Sequence, residues 1–209
     1  MQMTDTHRAK TGAYYTPSQW ARLAARYLAK VVPCLDGFTV YDPAAGEGAL
    51  LDALPCGTER TASTLERADV DILLRKGYTA QQFDFSRQNL RFLDESILEA
   101  SESGTLIVLT NPPYRKMAAG ECALMKRTHP ECCGDLTALF LLRALRELKP
   151  ALICSFTKTD IYQSAAMKPF RGAFDPFGRL ATRPFLCPST SWPGLKGSFP
   201  IAFSVWFGM

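Results

Sequence analysis

Leu106-Ile107-Val108-Leu109-Thr110-Asn111-Pro112-Pro113-Tyr114 is an apolar run that stops in an amide, two prolines and an aromatic ring. Leu106 to Leu109 is unbroken by polar residues, which predicts a central parallel strand covered on both faces. Pro112 and Pro113 supply no amide N–H and push the residue before each into extended backbone. The strand therefore ends here, and Asn111 is held at its carboxyl end with little freedom. Open α/β sheets bind their ligands at that end. The Asn111 amide oxygen and the Pro112 carbonyl are two acceptors in fixed geometry, with the flat ring of Tyr114 beside them. This arrangement suits a planar group that carries an NH2.

Outward from this strand the same strand-then-turn pattern recurs. Phe38-Thr39-Val40-Tyr41 runs into Asp42-Pro43-Ala44-Ala45-Gly46-Glu47-Gly48 and then a helix start, the corner of a Rossmann-like unit. Gly46 and Gly48 let backbone approach a ligand, and Asp42 is placed to take a cationic amine. Upstream, Thr11-Gly12-Ala13-Tyr14-Tyr15-Thr16-Pro17-Ser18 precedes a helix through Ala21, Leu23, Ala24, Tyr27 and Leu28. Thr16 or Ser18 can cap that helix and Pro17 is tolerated in its first turn, which leaves backbone N–H groups for an anion such as a carboxylate. Thr61 to Glu66 predicts a second strand, with Glu66 about 20 residues past the glycines, the spacing at which such folds set an acid on ribose hydroxyls. Tyr78 to Phe85 predicts a weaker third strand carrying Asp84 near its end, so Asp42, Glu66 and Asp84 are expected on one rim.

Beyond Tyr114, residues 115–130 are rich in basic and small residues and read as a mobile loop over that rim. Leu136 to Leu148 has helical apolar spacing and is stopped by Lys149-Pro150; Ala151 to Phe156 and the closing Gly197 to Phe207 are strands. Between them Lys158, Lys168, Arg171, Arg179, Arg183 and Lys196 alternate with Tyr162, Phe170, Phe174, Phe177 and Trp192, the mixture a nucleic-acid face needs.

The whole is expected to be a single domain over residues 1–209, since a chain of this length buries roughly 70% of its unfolded surface. With 47% hydrophobic and 21% charged residues the composition is that of an ordinary globular protein, and the net charge of +4 hints at a polyanion partner. Seven cysteines in no paired spacing argue for a reducing compartment rather than a disulfide framework. The polar stretch from Met1 to Lys10 reads as a frayed terminus, and neither a signal peptide nor a membrane span is apparent, so the expected location is cytoplasmic. Cys122, His129, Cys132 and Cys133 fit zinc poorly, because adjacent cysteines lack a second pair at ligand spacing; no metal is expected.

Taken in order, Tyr14-Tyr15-Thr16-Pro17, Asp42-Pro43-Ala44-Ala45-Gly46-Glu47-Gly48 and Asn111-Pro112-Pro113-Tyr114 resemble the γ-class DNA adenine-N6 methyltransferases, class I enzymes that use S-adenosyl-L-methionine. The resemblance implies a doubly wound seven-stranded sheet, mostly parallel with an antiparallel last strand. It assigns Tyr15, Thr16 and Pro17 and the loop of Asp42, Pro43, Ala44, Gly46 and Gly48 to the methionine part of the cofactor, Glu66 to its ribose and Asp84 to its adenine. Asn111 would touch both cofactor and substrate. The same resemblance makes Asn111, Pro112 and Tyr114 catalytic and gives Pro113, Tyr114 and Phe199 a flipped adenine to hold.

The implied partner is DNA. Relatives that read a specific site usually carry a recognition region beyond the catalytic domain, and this sequence shows none. Either a separate specificity subunit reads the site, or the chain is a catalytic fragment, or the substrate needs little reading. Three other readings stay open: N-methylation of a glutamine side chain in a release-factor-type protein, methylation of adenine in RNA, and a silent nucleic-acid-binding subunit.

Overall fold

A computed structural model describes residues 15–175, 179–195 and 197–208. Tyr14 and everything before it lie outside the described residues, as do Phe177 and Lys196. The side chain of Cys122 does too.

One mixed sheet organises the chain. Its strands are β1 (Thr39–Asp42), β2 (Glu59–Thr64), β3 (Thr79–Gln82), β4 (Leu106–Thr110), β5 (Leu152–Lys158), β6 (Arg179–Leu180), β7 (Phe185–Pro188) and β8 (Pro200–Phe207). The order is β3-β2-β1-β4-β5-β8-β6, with β7 also paired to β8. β1 to β5 are mutually parallel, while β8 is antiparallel to β5 from Leu152↔Phe207 to Lys158↔Ile201. β6 pairs with the Trp206–Phe207 end of β8 and β7 with its Pro200–Phe203 end, both antiparallel. They are two pieces of one outer lane, so eight strands fill the seven lanes anticipated. Pro184 and Pro188 suit that lane, which needs no donors on its outer side.

β4 shows why the sheet is covered on both faces. Leu106 and Val108 join a core with Tyr41, Phe85, Ile97, Leu139, Leu142 and Phe170, whereas Ile107 and Leu109 join the opposite core with Val40, Leu51, Leu73, Phe156 and Phe203. Side chains alternate across a strand, so an unbroken apolar run needs a layer on each face. Helices α1 (Ser18–Val31), α2 (Ala49–Asp52) and α3 (Arg67–Arg75) contribute to one layer. The other holds α4 (Glu95–Ser103), α6 (Leu136–Arg143) and α7 (Lys168–Phe174). Burying one Leu or Ile side chain is worth about 1.5–3 kcal/mol, so β4 alone anchors both layers.

Two expectations are corrected. The stretch read as a mobile loop contains a helix, α5 (Ala119–Thr128). Its start is fixed locally, because the Glu121 carboxylate accepts the Ala118 backbone N–H at 2.7 Å. The helix read as continuous to Leu148 changes to a wider π turn over Ala144–Leu148 and is ended by Lys149 at φ 45°. No helix among the described residues is long and apolar enough to cross a membrane.

Candidate active site

The carboxyl ends of β1, β2 and β4, with the turn after β3, border a cleft of about 410 Å3. That is within the roughly 300–1,000 Å3 typical of small-molecule sites. Of the residues singled out from sequence, Tyr15, Thr16, Asp42, Pro43, Ala44, Gly46, Glu66, Asp84, Asn111 and Pro113 line it. Pro17, Gly48, Pro112, Tyr114 and Phe199 do not.

The wall expected at the methionine end is built on β1. Asp42 is 2% exposed, and its Oδ1 accepts the Ala44 backbone N–H at 3.0 Å. This is the bond of an Asx turn, which aims the loop back over the strand end. Burial pushes the Asp42 carboxyl up to about 7, against the lowering effect of that N–H. The Ala45 N–H donates to Ser63 O at 3.0 Å and ties the loop to β2. Gly46 has φ +52°, and a Cβ there would sit 2.7 Å from the Tyr15 ring. Gly48 has φ +88° and faces Leu73 instead, so its role is to let α2 start beneath the loop.

At the β2 and β3 ends, strand β2 stops at Thr64, and Glu66 lies two residues on, flanking the first turn of α3. Asp84 Oδ1 accepts from the Ser86 N–H at 2.9 Å and the Ser86 hydroxyl at 2.6 Å, which fixes its direction. Buried Arg143 reaches across from α6 to donate to the Phe85 and Gln88 carbonyls and, at 2.7 and 2.9 Å, to Glu147. A buried cation spent on backbone carbonyls makes the Asp84–Gln88 turn rigid.

Asn111 and its prolines form the partition between two spaces. Asn111 and Pro113 face the cleft, while Tyr114 faces a small cavity of about 10 Å3, room for about one water. Thr137 Oγ1 donates to Pro113 O at 3.0 Å and pins the turn to α6. Tyr114 is 7% exposed. Lys158, at the end of β5, holds its Nζ 5.9 Å from the Tyr114 ring centre and 5.0 Å from that of Phe199. The two aromatic walls anticipated for a base therefore flank a single ammonium.

Two parts of the lining were missed from sequence: Asp69, beside Tyr15 and Gly46, and at the far end Phe83, Phe85, Leu136, Phe140, Arg87, Arg115 and Glu121. Glu121 accepts two bonds from the Arg115 guanidinium, at 2.8 and 3.0 Å, and another from Arg87. The Arg115 guanidinium and the other donors hold its carboxyl down at about 2. This network binds α5 across the turn after β3. The Asp84-Phe85 dipeptide at a strand end was the available signal for the phenylalanine; the rest depends on helix placement.

The fit to a nucleoside joined to an amino acid is good: apolar rings at one end, a left-handed glycine turn in the middle and a buried carboxylate at the other. The comparisons with known proteins agree. No curated protein matches the chain in sequence. A protein of Listeria monocytogenes assigned to the class I S-adenosylmethionine-dependent methyltransferases superposes with TM-score 0.69 at 15% identity, over 93% of this chain and 60% of that one. The type I restriction-modification methyltransferase subunit of Streptococcus thermophilus gives 0.67 at 19% identity, over 93% of this chain and 45% of that one. The magnesium protoporphyrin IX methyltransferase of Synechocystis, solved with S-adenosylmethionine bound, gives 0.52 at 11% identity, over 100% and 86%. The chain thus spans 60% and 45% of the length of the first two. At these identities the likeness is one of fold. The family model N-6 DNA Methylase matches residues 1–151, and the chain accordingly belongs to this family of S-adenosylmethionine-dependent methyltransferases.

Proposed function

We propose that the chain transfers a methyl group from S-adenosylmethionine to the exocyclic N6 amine of an adenine flipped out of DNA. One observation carries this reading. Asn111, at the carboxyl end of β4, lines the large cleft, while Tyr114, three residues on, faces a cavity with room for about one water, so a base entering beside Tyr114 would open that cavity and bring its amine to Asn111.

S-adenosylmethionine supplies a methyl group already activated by its sulfonium. Asp42 and the turn at Gly46 hold its amino-acid end, the acidic end of β2, where Glu66 lies, faces the ribose, and Asp84 with Phe85 faces the adenine. On the substrate side, the Asn111 side-chain oxygen and the Pro112 carbonyl accept the two N–H bonds of the amine. Drawing on both hydrogens localises the nitrogen lone pair, which in adenine is delocalised into the ring. Tyr114 and Phe199 stack on the base and offset part of the few kcal/mol spent on unstacking it. Tyr15 and Thr16 close the methionine end, Pro17 starts the helix behind them, and Pro113 shapes the passage. No acid, metal or covalent nucleophile of the chain is needed.

DNA is the partner this reading requires, and the likeness to a subunit of a type I restriction-modification system supports a separate specificity subunit that reads the site. One catalytic domain and a cytoplasmic location complete the proposal. The test is methyl-tritiated S-adenosylmethionine incubated with DNA, RNA and protein pools. Label entering DNA is expected; label confined to RNA or to a protein would replace the substrate assignment.

A further inference from the structure

We infer that the solvent face of α1, which carries Arg22, Arg26 and Lys30, is a docking surface for the phosphate backbone of duplex DNA; the inference rests on the DNA reading proposed above. The three cations are spaced four residues apart, so they form one stripe along the helix, and all three are exposed. A rise of about 1.5 Å per residue spreads them over about 12 Å, against one phosphate per about 3.4 Å of axis on each DNA strand. The stripe thus matches about three or four phosphates of a single strand.

The fold makes little use of this charge. Helix α1 contains no aspartate or glutamate, and among the described residues none of the three cations forms an ion pair. Lys30 lays its ammonium 4.8 Å from the Tyr27 ring centre, a contact that leaves its charge open to solvent. Part of the nucleic-acid face read from sequence is, by contrast, spent inside the fold. Arg171 donates to the Ile161 and Ser164 carbonyls at 3.2 and 2.8 Å, and Phe170, Phe174 and Trp192 are buried.

Charge is also segregated between the two layers. Helix α4 exposes Glu95, Glu99 and Glu102 and contains no lysine or arginine. It packs into the core on the face of the sheet opposite α1. A polyanion is therefore drawn to the α1 side and repelled from the α4 side. The stripe is tied to the proposed base slot as well. Trp20 Nε1 donates to Ser191 Oγ at 2.7 Å, and in the same turn Ser189 Oγ accepts the Phe199 backbone N–H at 2.9 Å. A strand held on α1 would thus be fixed relative to the ring proposed to stack on its flipped base.

The experiment is fluorescence anisotropy of a labelled duplex with the full chain across a salt series. The triple variant Arg22→Gln, Arg26→Gln, Lys30→Gln should lower the slope of log affinity against log salt by about 2 to 3, since each phosphate contact is worth about 0.9. A second triple variant, Arg91→Gln, Lys149→Gln, Lys168→Gln, removes the same charge from exposed positions elsewhere and should keep the native slope. A native slope in the first variant, or equal losses in both, overturns the inference; methyl label still entering DNA would then leave the substrate reading standing. If the first variant loses binding to polyglutamate while its DNA binding stays native, the face belongs to an acidic protein and the inference is likewise overturned. If thermal unfolding shows that the first variant does not fold, Arg26→Gln alone decides: a slope lower by about 0.9 is expected, and an unchanged slope overturns the inference. An unaltered chain that binds no duplex even at low salt would remove the DNA reading and this inference together.

Discussion

The backbone N–H of Ala44 donates to Asp42 Oδ1 at 3.0 Å, and that bond does not offset the burial that pushes the carboxyl up to about 7. The folded chain thus binds a proton at Asp42 more tightly than the unfolded one, so the stability that Asp42 contributes to the ligand-free protein is fully present below about pH 4. It should fall as pH rises toward and through about 7, by about 4 kcal/mol at most. A cationic amine at Asp42 favours the ionised form, so cofactor binding near pH 7 should release about half a proton. Calorimetry in buffers of different ionisation heat measures the release, and Asp42→Asn should abolish both effects. Unchanged pH dependence in Asp42→Asn would assign the linkage elsewhere.

Gly46→Ala tests the turn. A side chain at φ +52° costs about 1–2 kcal/mol, and its Cβ would displace the Tyr15 ring that walls the cleft. Unfolding stability should drop by that amount, and cofactor affinity should drop about tenfold or more. A stable variant with native affinity would mean that Tyr15 does not border the bound cofactor.

Asn111→Ala separates binding from chemistry. Its proposed bonds are to the substrate amine, so cofactor binding should be largely retained while turnover falls about a hundredfold or more, the usual cost of one lost electrostatic contact in a transition state. Single-turnover rates with saturating cofactor are the measurement. Near-native rates would refute the role.

Lys158 Nζ lies 5.9 Å from the Tyr114 ring centre and 5.0 Å from that of Phe199, the two rings proposed to stack on a flipped base. A cation–π contact is worth about 0.5–2 kcal/mol, so Lys158→Ala should raise the flipping equilibrium constant about 2- to 30-fold. The fluorescence of 2-aminopurine at the target position reports it. An unchanged signal would mean that the ammonium leaves the slot at no cost.

What could be read from sequence was what local chemistry dictates. A proline pair ends β4 at a fixed residue, and the Asp42–Gly48 turn demands a strand before it and a helix after it. Asp42, Gly46, Asp84 and Asn111 were therefore located along the rim before any packing was known. Glu66 was read as ending a strand, whereas β2 stops at Thr64, because a Thr-Leu-Glu boundary has no proline or glycine to mark it. Asp69 was missed for a different reason. It reaches the cleft only because α3 packs with Leu73 beneath Gly48, a contact between layers that no periodicity encodes. Arg143, Glu121 and Lys158 likewise owe their roles to elements brought together from distant parts of the chain. The outer lane was obscured by its brevity, since β6 has only two residues and is separated from β7 by a proline-containing break.

The central claim is that the amine held at Asn111 belongs to adenine. Its most direct test is to incubate the full chain with methyl-deuterated S-adenosylmethionine and unmethylated DNA, supplying any specificity subunit that its DNA site requires, then to hydrolyse the DNA and identify labelled nucleosides by mass spectrometry. The account predicts deuterated N6-methyldeoxyadenosine, and its loss in Asn111→Ala. Label recovered in a methylated cytosine, or N6-methyldeoxyadenosine formed equally well by Asn111→Ala, would contradict it.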